Sequence, residues 1–214
     1  VTDADAKAAR LKANYLAQVS QLNGKNAFGA KEQYGAKYKE DLDKISQELN
    51  NPAQRGAFKT RMDQHEADFN IQVDKHVFAE KDKYEKSVTM ASIDAYGLEA
   101  QDYNDAFRSE KAIATQKEVL SQYGARQGLP EQEIANQQRK VEAETRASVI
   151  QRMMISDTRE DAKKAKGYLE LHKDKFEPAQ YEKLKKEVDA YSNQQDAQDL
   201  VNTYITTDVS QKDE

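Results

Sequence analysis

The sequence predicts an all-α protein: an elongated helical bundle with one very long helix over about residues 52–96 and a C-terminal helical hairpin. Three observations carry that expectation. Apolar residues recur at spacings of three, four and seven almost throughout the chain, which is the repeat of one helix face. Charged residues make up 33% of the 214 and hydrophobic ones only 37%, a balance that suits amphipathic helices with much exposed surface better than a compact ball. Three prolines and eight glycines are too few for the turns of an all-β fold.

The elements follow in order. Leu11, Tyr15, Val19 and Leu22 mark a first helix that ends at Asn23 and Gly24, and Tyr34, Tyr38, Leu42, Ile45 and Leu49 mark a second. Asn51 before Pro52 is a start signal, because asparagine caps free amides and proline suits the first helical position. From there Phe58, Met62, His65, Phe69, Val73, Val77, Tyr84, Val88, Ala91 and Ala95 keep the helical spacing, with one gap at Glu80 and Lys81. A helix from Pro52 to Tyr96 would be roughly 65 Å long, against a diameter of roughly 45 Å for a compact domain of this size. An elongated molecule is therefore expected.

A weaker break from Gly97 to Asn104 precedes a helix carrying Phe107, Ile113, Leu120 and Tyr123. It stops where Gly128 suits the left-handed C-terminal position, Pro130 suits the start of the next helix, and Glu131 and Glu133 suit its positive end. Ile134, Val141, Val149 and Met153 then mark a helix to about Ile155. Asp157 and Glu160 are spaced as a capping box for a short helix with Ala162, Ala165, Tyr168 and Leu169. Past Phe176 and Pro178, a last helix carries Tyr181, Leu184, Val188, Tyr191, Leu200, Val201 and Tyr204, and the tail TTDVSQKDE reads as frayed. The hairpin from Asp157 to Tyr191 is about the size of one tetratricopeptide unit, but no second copy follows. The expected organisation is a long-helix bundle over 1–128 with a helical hairpin region, 129–214, packed on it, or one continuous domain. A chain that begins at Val1 is expected to be part of a larger protein.

The residues that would carry chemistry do not assemble into a motif. Without cysteine there is no disulfide, thiolate metal site or cysteine nucleophile. The net charge of −5 arises from 38 acidic and 33 basic residues in close alternation, a solvated surface rather than the basic stripe of a nucleic-acid binder. No apolar run approaches the ~20 residues of a membrane span, and contact with lipid would need the helices to turn their stripes outward. In GKNAFGAKEQYGAKY, residues 24–38, Gly24 and Gly29 are spaced as in a P-loop, but Ala30, Lys31 and Glu32 stand where Lys and then Ser or Thr are required. His65 begins a zinc-protease pattern that Phe69 breaks, and His76 lies roughly 16 Å further along the helix axis. Asp41 with Asp43 and Glu142 with Glu144 are two apart and do not face each other on a helix. The clusters Lys163, Lys164, Lys166 and Lys183, Lys185, Lys186 are interleaved with Glu160, Asp161, Glu182 and Glu187, as on solvated helix faces. No catalytic, cofactor-binding or metal-binding residue is predicted, no cofactor and no small-molecule substrate; the chain is expected not to be an enzyme.

The segment from Leu22 to His76 resembles a helical module of large internal virion and tail-associated proteins of tailed bacteriophages. The matching features are the turn Gly24 to Ala27, the tyrosine-bearing helix with Tyr34 and Tyr38, the Asn-Pro-Ala-Gln-Arg-x-Ala-Phe turn from Asn51 to Phe58, and His76. AYGLEAQDYND and GLPEQEI look like the same module, extending the similarity to roughly residues 15–205. The resemblance implies a structural part of the particle's inner core or tail, or a component ejected with the genome into the bacterial envelope. Its implied partners are other virion proteins or copies of itself. Some proteins with such modules also carry a peptidoglycan-cleaving domain, nothing like which is seen in this chain. The alternatives are a tetratricopeptide-like peptide-binding adaptor and a non-catalytic part of a peptidoglycan-cleaving phage protein.

Overall fold

The computed structural model describes residues 2–156 and 158–210, with side chains as far as residue 205. Among the described residues every regular element is helical: α1 Thr2–Val19, α2 Ala30–Gln47, α3 Pro52–Ala100, α4 Ala106–Arg126, α5 Glu131–Ile155, α6 Arg159–Leu171 and α7 Pro178–Ser210. The long helix and the C-terminal helical pair are thus both present. Short 3-10 turns, Gly24–Ala27 and Lys173–Lys175, precede α2 and α7. The chain divides into two compact units, Val1–Val88 and Thr89–Glu214, with the division inside α3. The 128/129 position expected as a boundary is instead a tight turn within the second unit, because α4 packs along α5.

The first unit is a three-helix seam. Ala4, Ala8 and Val19 of α1, Tyr38 and Leu42 of α2, and Phe58, Met62, Phe69 and Val73 of α3 form its core. Aromatic rings fill it: the Tyr38 and Phe69 centroids are 4.5 Å apart, and Tyr15 meets both edge-on. The Tyr15 hydroxyl donates to Asp41 at 2.8 Å, and burial pushes the Tyr38 phenol up to about 12. Asn51 caps α3 as expected, its side-chain oxygen accepting from the Ala53 amide at 2.9 Å.

The gap in the α3 stripe has a structural cause. Glu80 is buried, and its carboxylate accepts from the Gly24 amide at 3.0 Å and from Lys83 at 2.6 Å. One turn before it, His76 Nε2 donates to the Leu22 carbonyl at 2.9 Å. One turn after it, Tyr84 meets Phe28 edge-on at 5.7 Å and lies under the Lys25 ammonium. Gly24 adopts φ +54, the left-handed conformation that reverses the chain after α1. His76, Glu80 and Tyr84 therefore hold the Gly24–Ala27 turn against three successive turns of α3. Beyond Glu80 the register changes. Val88, Ala91 and Ala95, expected to continue the stripe, are exposed, and Thr89, Ile93 and Ala100 are buried instead.

The second unit packs α4, α5, α6 and α7 in sequence with the end of α3. Its core holds Ala100, Ala112, Ile113, Ala143, Val149, Ile150, Met153, Ala165, Leu169, Phe176, Leu184 and Val188. Phe107, expected on the apolar face of α4, is exposed, and the small residues Ser109 and Ala112 take the seam. The α4–α5 turn is built as expected on Gly128, at φ +68, with Leu129 donating back to the Gly124 carbonyl. Pro130 stands just before the first helical residue, Glu131. The cap of α6 is Thr158, whose hydroxyl oxygen accepts from the Asp161 amide at 3.1 Å. That cap lies one position after the expected pair of Asp157 and Glu160, and Asp157 is outside the described residues. The helix α7 extends to Ser210, into the tail read as frayed.

Two outcomes test these contacts. Replacing Glu80 with Ala removes the acceptor of the Gly24 amide, which should then exchange its hydrogen much faster in a native-state exchange measurement, whereas unchanged protection would show that the turn holds without it. A methyl group at Gly124 would sit 2.6 Å from Ile134 Cγ1, so Gly124→Ala should cost on the order of 1–3 kcal/mol in chemical denaturation.

Candidate functional site

The largest buried ionic group in the second unit centres on Arg146 of α5. Glu142 precedes it by one turn, Glu110 comes from α4, and Tyr168 and His172 come from α6 and its C-terminal cap. Its guanidinium forks onto Glu110 at 2.7 and 2.8 Å, reaches Glu142 at 3.1 and 3.2 Å, and donates to the Tyr168 hydroxyl at 2.9 Å. Lys117 adds a 2.7 Å bond to Glu142. All five N–H donors of Arg146 are directed at these partners.

Burial, with Arg146 only 3% exposed, disfavours its charge, but the bonds it donates to Glu110 and Glu142 more than offset that and raise its pKa. Burial likewise opposes the Glu142 charge, yet the bonds from Lys117 and Arg146 hold its carboxyl below the usual range. Glu110 is held low chiefly by its bond from Arg146. Burial and then the nearby Arg146 charge depress His172, and burial raises Tyr168. The site therefore holds two carboxylates, two cations, a neutral imidazole and a neutral phenol.

Beside this group lies a cavity of about 180 Å³, lined by Tyr103, Ala106, Ser109, Glu110, Tyr168, Leu171 and His172. His172 Nε2 is 3.7 Å from Glu110, and its ring packs tilted against Tyr168, with the centroids 4.4 Å apart and the planes at 54°. Both Glu110 oxygens already accept from Arg146, so the arrangement is a satisfied ion network that ties α4, α5 and α6 together. A shallow groove of about 370 Å³ runs between the end of α3 and α5, walled by Ile93, Leu98 and Val141, with Gln116 at its floor and Asp94 and Glu144 on its rim. Among the described residues no group of three or more His, Asp or Glu side chains is placed to hold a metal ion, and no helix is long and apolar enough to cross a membrane.

The residues weighed from the sequence are dispersed. Lys31, next to the glycine-rich turn, pairs with Asp74 at 2.7 Å. His65 approaches Asp5 at 3.8 Å, while His76 holds Leu22. Asp41 serves Tyr15 and Lys44; Glu142 points into the core and Glu144 is exposed. Lys164 pairs with Glu160 and Asp161, Lys166 with Asp189, and Lys183 approaches Glu187. The one sequence signal of the Arg146 network is Glu142 and Arg146, a turn apart, on the same side of α5 as Val149 and Met153.

The other outstanding feature is apolar. Leu200, Val201, Tyr204 and Ile205 of α7 are 60%, 55%, 71% and 58% exposed; Leu200, Val201 and Tyr204 lie in the last helix as the sequence predicts, but without a neighbour to cover them. The reason is packing length. The first residue of α6, Arg159, bridges Asp196 and Asp199 of α7 at 2.8 and 3.7 Å, so α7 past Asp199 runs beyond the end of its neighbour.

Arg146→Ala would leave the buried Glu142 with Lys117 as its one remaining cation and the Tyr168 hydroxyl without its donor, and should destabilise the protein by about 2–4 kcal/mol in urea denaturation. Acid should act on the same network. His172, with a depressed pKa, binds a proton more readily when unfolded, so stability should begin to fall as pH drops below about 6.5; Glu110 and Glu142 add a further loss below about 4.5. His172→Gln should flatten the upper part of that profile and leave the lower part in place. No protein-family model, curated protein or solved structure matches this chain.

Proposed function

We propose that this chain is a non-enzymatic helical assembly module of a bacteriophage virion protein, part of the internal core, the tail or the genome-ejection apparatus. Its proposed place is the particle, with delivery into the bacterial envelope on infection, and its proposed partners are other virion proteins or copies of itself. One observation carries the assembly reading: α7 presents four large apolar side chains to solvent on one helix face, while the titratable clusters are spent on bonds within the chain. Exposed contiguous apolar surface of this kind is the mark of an interaction site.

The phage assignment is supported by the resemblance of the Gly24–Ala27 turn, the Asn51–Phe58 turn and His76. In the structure Leu22, the Gly24–Ala27 turn and His76 belong to one packing unit, as structural punctuation of a module would. Mass spectrometry of purified particles tests it: peptides of this chain should be recovered with the virion, and their absence from particles of a phage that encodes it would reject the reading. A second reading, a peptide-binding adaptor, is favoured by the groove between the end of α3 and α5. It predicts saturable binding of an extended or helical peptide that Val141→Glu abolishes, read by fluorescence anisotropy.

A further inference from the structure

We propose that the cavity beside the Arg146 network binds a small neutral phenol, its ring against the Tyr103, Tyr168 and Leu171 side chains and its hydroxyl bonded to the imidazole of His172. The proposal is independent of the assembly reading. About 180 Å³ between the start of α4 and the end of α6 is room for one six-membered ring, since a cavity of roughly 150 Å³ accepts benzene. Tyr103, Tyr168 and His172 place three rings in a wall that is mostly carbon, and rings hold another ring edge-on or offset.

Charge narrows the ligand to a neutral one. Glu110 stands in the wall and repels an anion, yet both its oxygens accept from Arg146, at 2.7 and 2.8 Å, so a cation gains little there. The other charges close by are also paired. Lys164, over the Tyr103 ring at 6.0 Å, is held by Glu160 and Asp161, and Asp174, next to His172, by Lys175.

His172 supplies the polar handle. Its side chain is 15% exposed, and its Nε2 stands 3.7 Å from Glu110, too far for a hydrogen bond. Among the described residues neither ring nitrogen has a hydrogen-bond partner, whereas Ser109 donates to the Ala100 carbonyl at 2.6 Å and the Tyr168 hydroxyl accepts from Arg146 at 2.9 Å. A neutral imidazole carries one donor and one acceptor nitrogen, and a phenol hydroxyl can meet either. The Tyr103 hydroxyl also makes no bond among the described residues, but its oxygen is a weaker acceptor than an imidazole nitrogen.

Chemical-shift titration of the whole chain with phenol, and with toluene as its isostere, tests the site. Phenol should move the amide signals of Ala106, Glu110, Leu171 and His172 saturably, with a dissociation constant on the order of 1 mM, as suits a ligand of a single ring. Ala106→Leu, at an exposed position, fills the cavity and should abolish both titrations without lowering the denaturation midpoint. His172→Phe should keep toluene binding and lower the affinity for phenol relative to toluene about threefold to tenfold, the worth of one hydrogen bond. Tyr103→Phe should leave that ratio unchanged. Absence of saturable shifts at these residues, titrations that survive Ala106→Leu, or a ratio moved by Tyr103→Phe and not by His172→Phe overturns the proposal. N-acetyl-tyrosinamide should bind more weakly than phenol, because the cavity holds a ring and no backbone; tighter binding would make a partner's tyrosine side chain the occupant and overturn the small-molecule assignment.

Discussion

The constraint on which this structure depends is the shortage of apolar material. With little more than a third of its residues hydrophobic, the chain cannot close its helix seams with carbon alone, so polar side chains complete them by binding backbone groups of the neighbouring element. Glu80 and His76 do this for the turn that follows α1. In the second unit Ser109 donates to the Ala100 carbonyl at 2.6 Å, Gln116 to Ile93 at 2.7 Å and Gln138 to Lys117 at 2.8 Å. Thr145 completes the set by donating to the Gln116 side-chain oxygen at 3.0 Å. Each such bond contributes only about 1 kcal/mol net, but an orphaned partner in these narrow seams costs more than the bond gains. The seams are therefore specific: a slip of one helix against another would strand several polar groups at once.

The same economy explains how the Arg146 network should be understood. A fully paired buried guanidinium contributes less to stability than its short bonds suggest, because desolvation opposes it. Its effect is to fix which residues of α4, α5 and α6 meet. Both Glu110 oxygens and all five Arg146 donors are engaged within the network, and the neighbouring cavity is lined by Glu110 and His172 together with the Tyr103 and Tyr168 side chains.

Much of the fold was legible because helices announce themselves through spacing and caps. Asn51 with Pro52 opens α3 and Gly128 takes the left-handed turn where the sequence signals them, and most of the first unit's core residues fall on the expected stripes. The register of α3 after Glu80 was not legible, since the buried positions are held by Glu80 and Thr89 while Val88, Ala91 and Ala95 lie outside. Apolarity alone points to the wrong side where polar residues fill the seam. Leu200, Val201 and Tyr204 show a related limit of spacing, which reveals that a helix has an apolar face but not where its neighbour ends. The division within α3 was hidden too, because an unbroken helix carries no turn signal at Val88.

Gln116→Leu tests the central claim most directly, since leucine keeps the bulk of the side chain and removes only its polar end. If polar groups complete the seams, the loss of the bond to Ile93 and of the acceptor for Thr145 should lower unfolding free energy by about 1–3 kcal/mol and speed amide exchange in both α4 and α5. A variant as stable as the parent or more so, with exchange unchanged, would show that the seams are held by apolar packing and contradict the account.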